Sequence, residues 1–259
     1  MMLSFDDKTA KLLDDAYQGA DVTRRRRASF DALNPLTGER VLDLGCGNGL
    51  LTLELARAVG PKGQICGLDS SPDMLASAQD RCADRPNVDL QQGSADDLPY
   101  PDRSLDKAVS IQVFEYFTDM RPALKELKRV LRPGGRLVIA DMHWDTWAWF
   151  SDQPERMRNM QDIWDRHLAE RCVPALLPDL LTQSGFRPLR MIPVPVCDIT
   201  LRPDGLAAMM MQFMTRYAIS TGAMSKAEAR AWADEQHDLA RAGRFFFALT
   251  HFVCVAERP

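Results

Sequence analysis

The sequence predicts an α/β fold. It reads as a doubly wound, seven-stranded sheet, mostly parallel with the last strand antiparallel, plus a helical cap from insertions. Three observations support this. Short apolar bursts alternate with helix-periodic segments from Glu39 to about Asp141, a glycine cluster follows the first burst and an aspartate ends the second, and the final run "RFFFALTHFVCVAE" is apolar on both alternating faces. Alternating strands and helices argue for a parallel sheet covered on both sides. A segment with no polar face belongs inside a sheet.

The elements follow in order. "RVLDLG" is the first strand, and "LLTLELARAVG" has helical periodicity, with Leu50, Leu53, Ala56 and either Leu51 or Leu55 on one side, stopping at Gly60-Pro61. "QICGLD" is the second strand, and "SSPDMLASAQDRCA" starts a helix with Ser71 as N-cap and Pro72 at the first helical position. "NVDLQQG" and "LDKAVSIQ" are the third and fourth strands. "MRPALKELKRVL" is a helix ended by Pro133-Gly134-Gly135, and "RLVIAD" is the fifth strand. Residues 142–168, rich in Trp, Met and Arg, read as a helical insertion. A helix, a Gly turn and a strand follow, and residues 203–242 are helical again before the last strand. The predicted organisation is one domain over 1–259, with its core at about 36–142, 170–200 and 243–259 and a cap at about 142–168 and 203–242.

Composition excludes several classes. A chain of 259 residues with 46% hydrophobic and 26% charged residues is ordinary for a soluble globular protein. A formal net charge of -4 gives no electrostatic case for a nucleic-acid partner. No apolar run approaches the ~18 residues of a membrane span. The start "MMLSFDDKTAKLL" has acidic residues where a signal peptide needs a positive flank, so a cytoplasmic location is expected. Six cysteines are scattered without C-x-x-C spacing, which indicates neither a zinc site nor a disulfide framework, and no metal is expected.

"VLDLGCGNG" at Val41–Gly49 sets the functional question. Gly45, Gly47 and Gly49 allow a tight turn and close ligand approach, and the following helix N-terminus offers free N–H groups. A dinucleotide fingerprint would place its third glycine at position 50, where Leu50 stands. Asp69 ends the second strand at a spacing suited to a carboxylate accepting both ribose hydroxyls.

"VLDLGCGNG", "GLDSSPDML", "GSADDLPYPDRSLD" and "ALKELKRVLRPGGRLVIAD" together resemble the four consecutive motifs of class I S-adenosylmethionine-dependent methyltransferases. The style is that of the branch containing the ubiquinone/menaquinone-biosynthesis and related small-molecule enzymes. The resemblance covers roughly residues 36–142. It implies S-adenosylmethionine as cofactor. Gly45, Cys46 and Gly47 would wrap its methionine part, with Asp43 supporting the loop and Asp69 on the ribose. Ser70 and Met74 would border the adenine, with Ser94, Ala95 and Asp96 at its edge. The carbonyl of Ile111 would face the cofactor amino group. Tyr17 and one arginine of Arg24–Arg27 would close over its carboxylate, the other arginines forming a solvated face.

Methyl transfer is mainly a positioning problem, with a base needed where the acceptor is a hydroxyl or ammonium. His143 is the first base candidate because "ADMHWD" follows the fifth strand at the edge where ligands bind in such sheets. Glu115 and Tyr116 face the same edge, and His251 reads as a satisfied core histidine. Aromatic and Met residues of the cap suit an apolar or aromatic small-molecule acceptor, with O- or N-methylation favoured. Two other readings stand beside this one: a non-catalytic cofactor-binding protein, and an arsenite-type methyltransferase using Cys172 and Cys197. The missing third glycine and the downstream motifs disfavour an NAD(P) oxidoreductase.

Overall fold

The computed structural model describes residues 17–259, and the opening segment quoted above lies outside them. Helix α1 (Ala20–Leu33) leads into β1 (Arg40–Leu44), α2 (Leu50–Val59), β2 (Gln64–Asp69), α3 (Pro72–Cys82) and β3 (Val88–Gln92). Next come β4 (Leu105–Ile111), a 3-10 turn at Phe114–Tyr116, α4 (Arg121–Val130) and β5 (Leu131–Trp149). The chain continues through α5 (Pro154–Asp165), α6 (Val173–Gln183), β6 (Arg187–Asp198), α7 (Leu206–Ser220), α8 (Lys226–Arg241) and β7 (Phe247–Glu257). No helix among the described residues is long and apolar enough to cross a membrane.

The seven strands form one sheet in the order β3-β2-β1-β4-β5-β7-β6. β1 pairs in parallel with β2 and β4, β2 with β3, and β4 with β5, whereas β7 pairs antiparallel with both β5 and β6. The last strand is therefore interior, as its two apolar faces require, and it runs antiparallel to both neighbours. On one side of the sheet Val41, Val109, Val138 and Val253 pack with Leu33 of α1 and Leu51 and Leu55 of α2. On the other, Leu42, Leu44, Leu137 and Ile139 pack with Leu124 and Leu127 of α4 and Leu177 and Leu181 of α6. The buried stripe of α2 is Leu51, Thr52, Leu55, Ala56 and Val59, whereas Leu50 and Leu53 are only partly buried.

The expected helical insertion begins later than residue 142. β5 runs on to Trp149, because the first turns of β7 give it a partner: His143 lies opposite Thr250, Ala148 opposite Ala248 and Trp149 opposite Phe247. "HWDTWAW" is rich in residues that favour a pleated, half-buried surface. Beyond it, Met157, Met160 and Trp164 of α5, Met210, Met211 and Met214 of α7 and Trp232 of α8 form a third apolar cluster with Trp149 and Phe247. Asp21 ties this cluster to α1. Its carboxylate accepts from the Leu206 N–H at the start of α7 (3.0 Å) and from Arg202 (2.6 Å).

Phe247 stands where sheet and cluster meet, fully buried with its ring 4.8 Å from that of Trp149. Phe247→Ala should lower the unfolding free energy by about 3–5 kcal/mol in urea denaturation, a loss that an edge strand would not produce.

Candidate active site

β1 and β2 run in register, with Asp43 opposite Gly67 and Leu44 opposite Leu68, so their carboxyl ends deliver the glycine loop and Asp69 side by side. The N–H groups of Gly45 and Cys46 donate to the Leu68 carbonyl (2.7 and 3.0 Å). The Gly47 N–H donates to Asp69 Oδ2 (2.8 Å), and the Ser71 N–H to Oδ1 (2.9 Å). Gly45 has φ +71°, and a Cβ there would lie 2.2 Å from Val113 Cγ2. Gly47 has φ +54° and no atom within 4 Å of that place, which makes its outer face an open cradle. Cys46 is buried, its sulfur packed near Gly67, so its backbone and not its thiol borders the cradle. Beneath the loop, buried Asp43 accepts from Thr52 Oγ1 (2.7 Å), and burial pushes its carboxyl up to about 7.

The remaining predicted rim residues divide by exposure. Ser70, Ser94 and Asp96 are exposed, whereas Ala95 and Met74 are buried, Met74 within the third apolar cluster. Ser71 caps α3 by accepting from the Met74 N–H (3.3 Å), which fixes the helix that carries Met74. Ile111 closes β4, and the next residue, Gln112, turns the chain with φ +54°.

The arginine run departs from expectation. Only Arg24 and Arg27 are solvent-exposed. Arg26 bonds Glu54 (2.9 Å) and the Tyr17 carbonyl (3.0 Å), and Arg25 is 2% exposed. Asp21, Arg25, Ser29 and Ala32 form the buried stripe of α1. The Arg25 guanidinium donates to Gln112 Oε1 (3.1 Å) and touches Met142 Sδ at 3.6 Å. Burial lowers its pKa to about 10, opposed by the charges of Tyr17 and Glu115, so it stays a cation at neutral pH. Tyr17, half-buried, has its phenol pushed up to about 12 by desolvation, and it feels Arg25, Glu115 and Asp69. The fold thus brings Tyr17, Arg25, Glu115 and Asp69 into one electrostatic neighbourhood.

Glu115 is 2% exposed on the 3-10 turn and accepts from Trp144 Nε1 (3.0 Å). Burial raises its carboxyl from 4.5 to about 7, moderated by the Trp144 bond and by Arg25. Tyr116 hydrogen-bonds Glu115, and burial holds its phenol well above 10, so at neutral pH it is a donor and not a base. Asp141 is fully buried beside Glu115 without a well-formed hydrogen bond to either oxygen, and its carboxyl is also raised well above the usual range by burial. His251 is buried as expected but not satisfied: neither ring nitrogen has a partner among the described residues, and burial together with the Arg25 charge holds its pKa well below 6.5.

His143 belongs to a different group. Its ring lies 6.0 Å from that of Phe252, and it joins Asp145 and Cys172 in a set whose donor atoms lie within 4.8 Å of one another. Cys197 does not join them. It sits on edge strand β6 opposite Ala248, two strand spacings or about 10 Å from β5. Gln112, Asp141 and the particular arginine Arg25 are the residues that sequence reasoning missed. The i, i+4, i+8 spacing from Arg25 through Ser29 to apolar Leu33 is the signal that singles out Arg25.

The raised acid gives a pH dependence of definite sign. Folding favours protonated Glu115, so its contribution is full below about pH 4.5 and is lost as pH rises through about 7. Glu115→Gln keeps the acceptor for Trp144 and should remove about 1–3 kcal/mol of the stability loss between these limits. Denaturant melts at pH 5 and 7.5 measure it, and an unchanged difference would remove Glu115 as the source.

Comparisons place this geometry in a family. A model described as a methyltransferase domain matches residues 36–185. An uncharacterized 37.1 kDa protein of a Streptomyces fradiae transposon is 34% identical over 236 residues, which cover 88% of this chain and 65% of that protein. A 2-phytyl-1,4-naphtoquinone methyltransferase of Synechococcus elongatus is 42% identical over 123 residues, covering 46% of this chain and 52% of the relative, so this chain spans only about half of that enzyme. Among solved structures, the [4+2]-cyclase SpnF aligns with TM-score 0.62 at 22% identity over 92% of this chain and 82% of its own. A Haemonchus contortus phosphoethanolamine N-methyltransferase in complex with S-adenosyl-L-methionine aligns with TM-score 0.64 at 17% identity over 98% and 58%. These two likenesses concern the fold. The matched residues contain the glycine loop, Asp69 and Glu115, and the chain belongs to the methyltransferase domain family.

Proposed function

We propose that the protein transfers the methyl group of S-adenosylmethionine to a small-molecule acceptor with an apolar or aromatic scaffold, at oxygen or nitrogen. The observation that carries this reading is the Asp69 carboxylate tied to Gly47 under an open cradle, facing the Tyr17–Arg25–Glu115 group. The residues fit the cofactor. Each Asp69 oxygen uses one lone pair on a backbone N–H and keeps another for a ribose hydroxyl. Gly45 and Gly47 let backbone amides approach the methionine part, and Cys46 contributes only its backbone. Ser70, Met74, Ser94, Ala95 and Asp96 border the adenine, and the Ile111 carbonyl faces the amino group. Arg25, a buried fork of donors, is matched to a carboxylate, with Tyr17 beside it.

When bound, the cofactor supplies an electrophilic methyl on a sulfonium. The chain's task is to align the acceptor, exclude water and take a proton. Glu115 is the proton acceptor in this reading. Its pKa of about 7 leaves a useful ionised fraction near neutrality, and Tyr116 donates a hydrogen bond that orients it. The Trp- and Met-rich cluster that includes Met74 supplies an apolar roof over the cradle side. The relatives' quinone substrates support a flat, apolar acceptor. Their alignment covers less than half of this chain, so the acceptor class rests on the roof.

Calorimetry with S-adenosylhomocysteine tests the cofactor reading. Asp69→Ala deletes two hydrogen bonds to a charged group, each worth about 1.5–3 kcal/mol, and should weaken binding at least tenfold. Unchanged affinity would sink the assignment. Glu115→Gln should lower methyl transfer to a panel of quinols, phenols and amines by a factor of about 10² to 10⁴ with nearly unchanged cofactor affinity. Tight cofactor binding with no methylated product across that panel would instead favour a non-catalytic binding protein.

A further inference from the structure

Away from the cofactor cradle, the fold gathers a set of side chains that the sequence keeps apart. His143 and Asp145 lie on the continuation of β5 past the sheet edge, and Cys172 is the residue before α6. One atom from each falls within 4.8 Å of the others. The segment that carries Cys172 is held in place at both ends. The Ala169 and Glu170 N–H groups donate to the Glu115 carbonyl (2.9 and 3.1 Å), and the Trp144 N–H donates to the Arg171 carbonyl (3.0 Å). The Glu170 carboxylate accepts from the Cys172 N–H (2.7 Å), which fixes the cysteine backbone. These main-chain ties hold the backbone that carries Cys172 against the strand that carries His143 and the exposed Asp145.

We propose that His143, Asp145 and Cys172 bind a single divalent cation of the zinc class, with the fourth coordination position open. The chemistry of the set selects the ion. An imidazole nitrogen, a thiolate sulfur and a carboxylate oxygen together suit a borderline-soft ion such as Zn²⁺ or Co²⁺, and they disfavour Mg²⁺ and Ca²⁺, which prefer oxygen throughout. Three protein ligands with a free position are the arrangement of reactive zinc sites, whereas structural sites are closed by four. The Cys172 thiol now donates to Asp145 Oδ2 (3.1 Å), and a cation takes the place of that proton, which is released to solvent. His143 Nδ1 is buried without a hydrogen-bond partner among the described residues. Arg171 lies 3.4 Å from Asp145 Oδ1 and competes for this carboxylate, but it is about half-exposed and also bonds Asp165 (3.0 Å), so it can yield the oxygen without losing its other partner. A hollow of about 260 Å³ lined by Trp144, Asp145, Trp147, Asp165 and Arg171 borders the set on its Asp145 side.

Cobalt titration of the chelator-treated chain tests the proposal without any methyl-transfer readout, so its failure is separable from failure of the functional reading. Uptake of one Co²⁺ per chain with a thiolate-to-cobalt charge-transfer absorption, bleached by added Zn²⁺, is expected. Cys172→Ser should abolish the absorption, and Cys197→Ser should leave it intact. His143→Gln and Asp145→Asn should each weaken uptake by about tenfold or more. As a second measurement on the unmodified chain, Zn²⁺ should slow alkylation of Cys172 but not of Cys197. Absence of stoichiometric uptake, an absorption that survives Cys172→Ser, or alkylation of Cys172 at the same rate with and without Zn²⁺ would overturn the proposal.

Discussion

The burial of one guanidinium governs the geometry around the cradle. Arg25 sits at 2% exposure, and a cation removed from water needs acceptors and counter-charge around it. Gln112 supplies an oxygen, Glu115 supplies compensating charge as it ionises, and Met142 and His251 close the apolar side. These come from the turn after β4, from β5 and from β7, so α1 meets all three at one point. The left-handed Gln112 follows from this demand, since it turns the chain at the end of β4 while its side chain reaches Arg25. A second anchor holds the same helix one turn earlier, where Asp21 accepts from the first N–H of α7.

The neighbourhood is richer in acids than in bases. Glu115 and Asp141 are both buried and both have raised carboxyl pKa values, and Asp69 adds its charge nearby. One arginine cannot balance three carboxylates in a low dielectric, so at least one acid holds its proton near neutrality. A ligand that brings positive charge to this side is electrostatically welcome, and a sulfonium fits that requirement.

The local features were legible in the sequence because they depend on residues close in the chain. The glycine loop, the Ser71-Pro72 helix start and Asp69 each occupy the positions their motifs imply. The interior position of the last strand was legible for another reason: "FFFALTHFVCV" has no polar face to offer water. What escaped was produced by pairing across the fold. β5 extends to Trp149 only because β7 lies beside it, and no periodicity within residues 142–149 reveals that partner. His143 reads as a lone histidine until Cys172, 29 positions away in the sequence, is brought to Asp145 by the backbone ties of 169–172. Arg25 was hidden among identical neighbours, and only its spacing to Ser29 and Leu33 marks it as the one that faces inward.

The length of β5 has a mechanical consequence. At roughly 3.3 Å per residue, its 19 residues run from beneath the sheet core to the middle of the aromatic cluster, with β7 paired alongside 136–143 and 148–149 and an irregular stretch between them. A hinge between core and roof would have to bend two paired strands at once. Small displacements of α5, α7 and α8 over this strand pair need no such bend. Methionine-rich contacts suit such motion, because flexible thioether chains repack without leaving voids. In the proposed reading the roof is a compliant lining carried on a frame of two long strands.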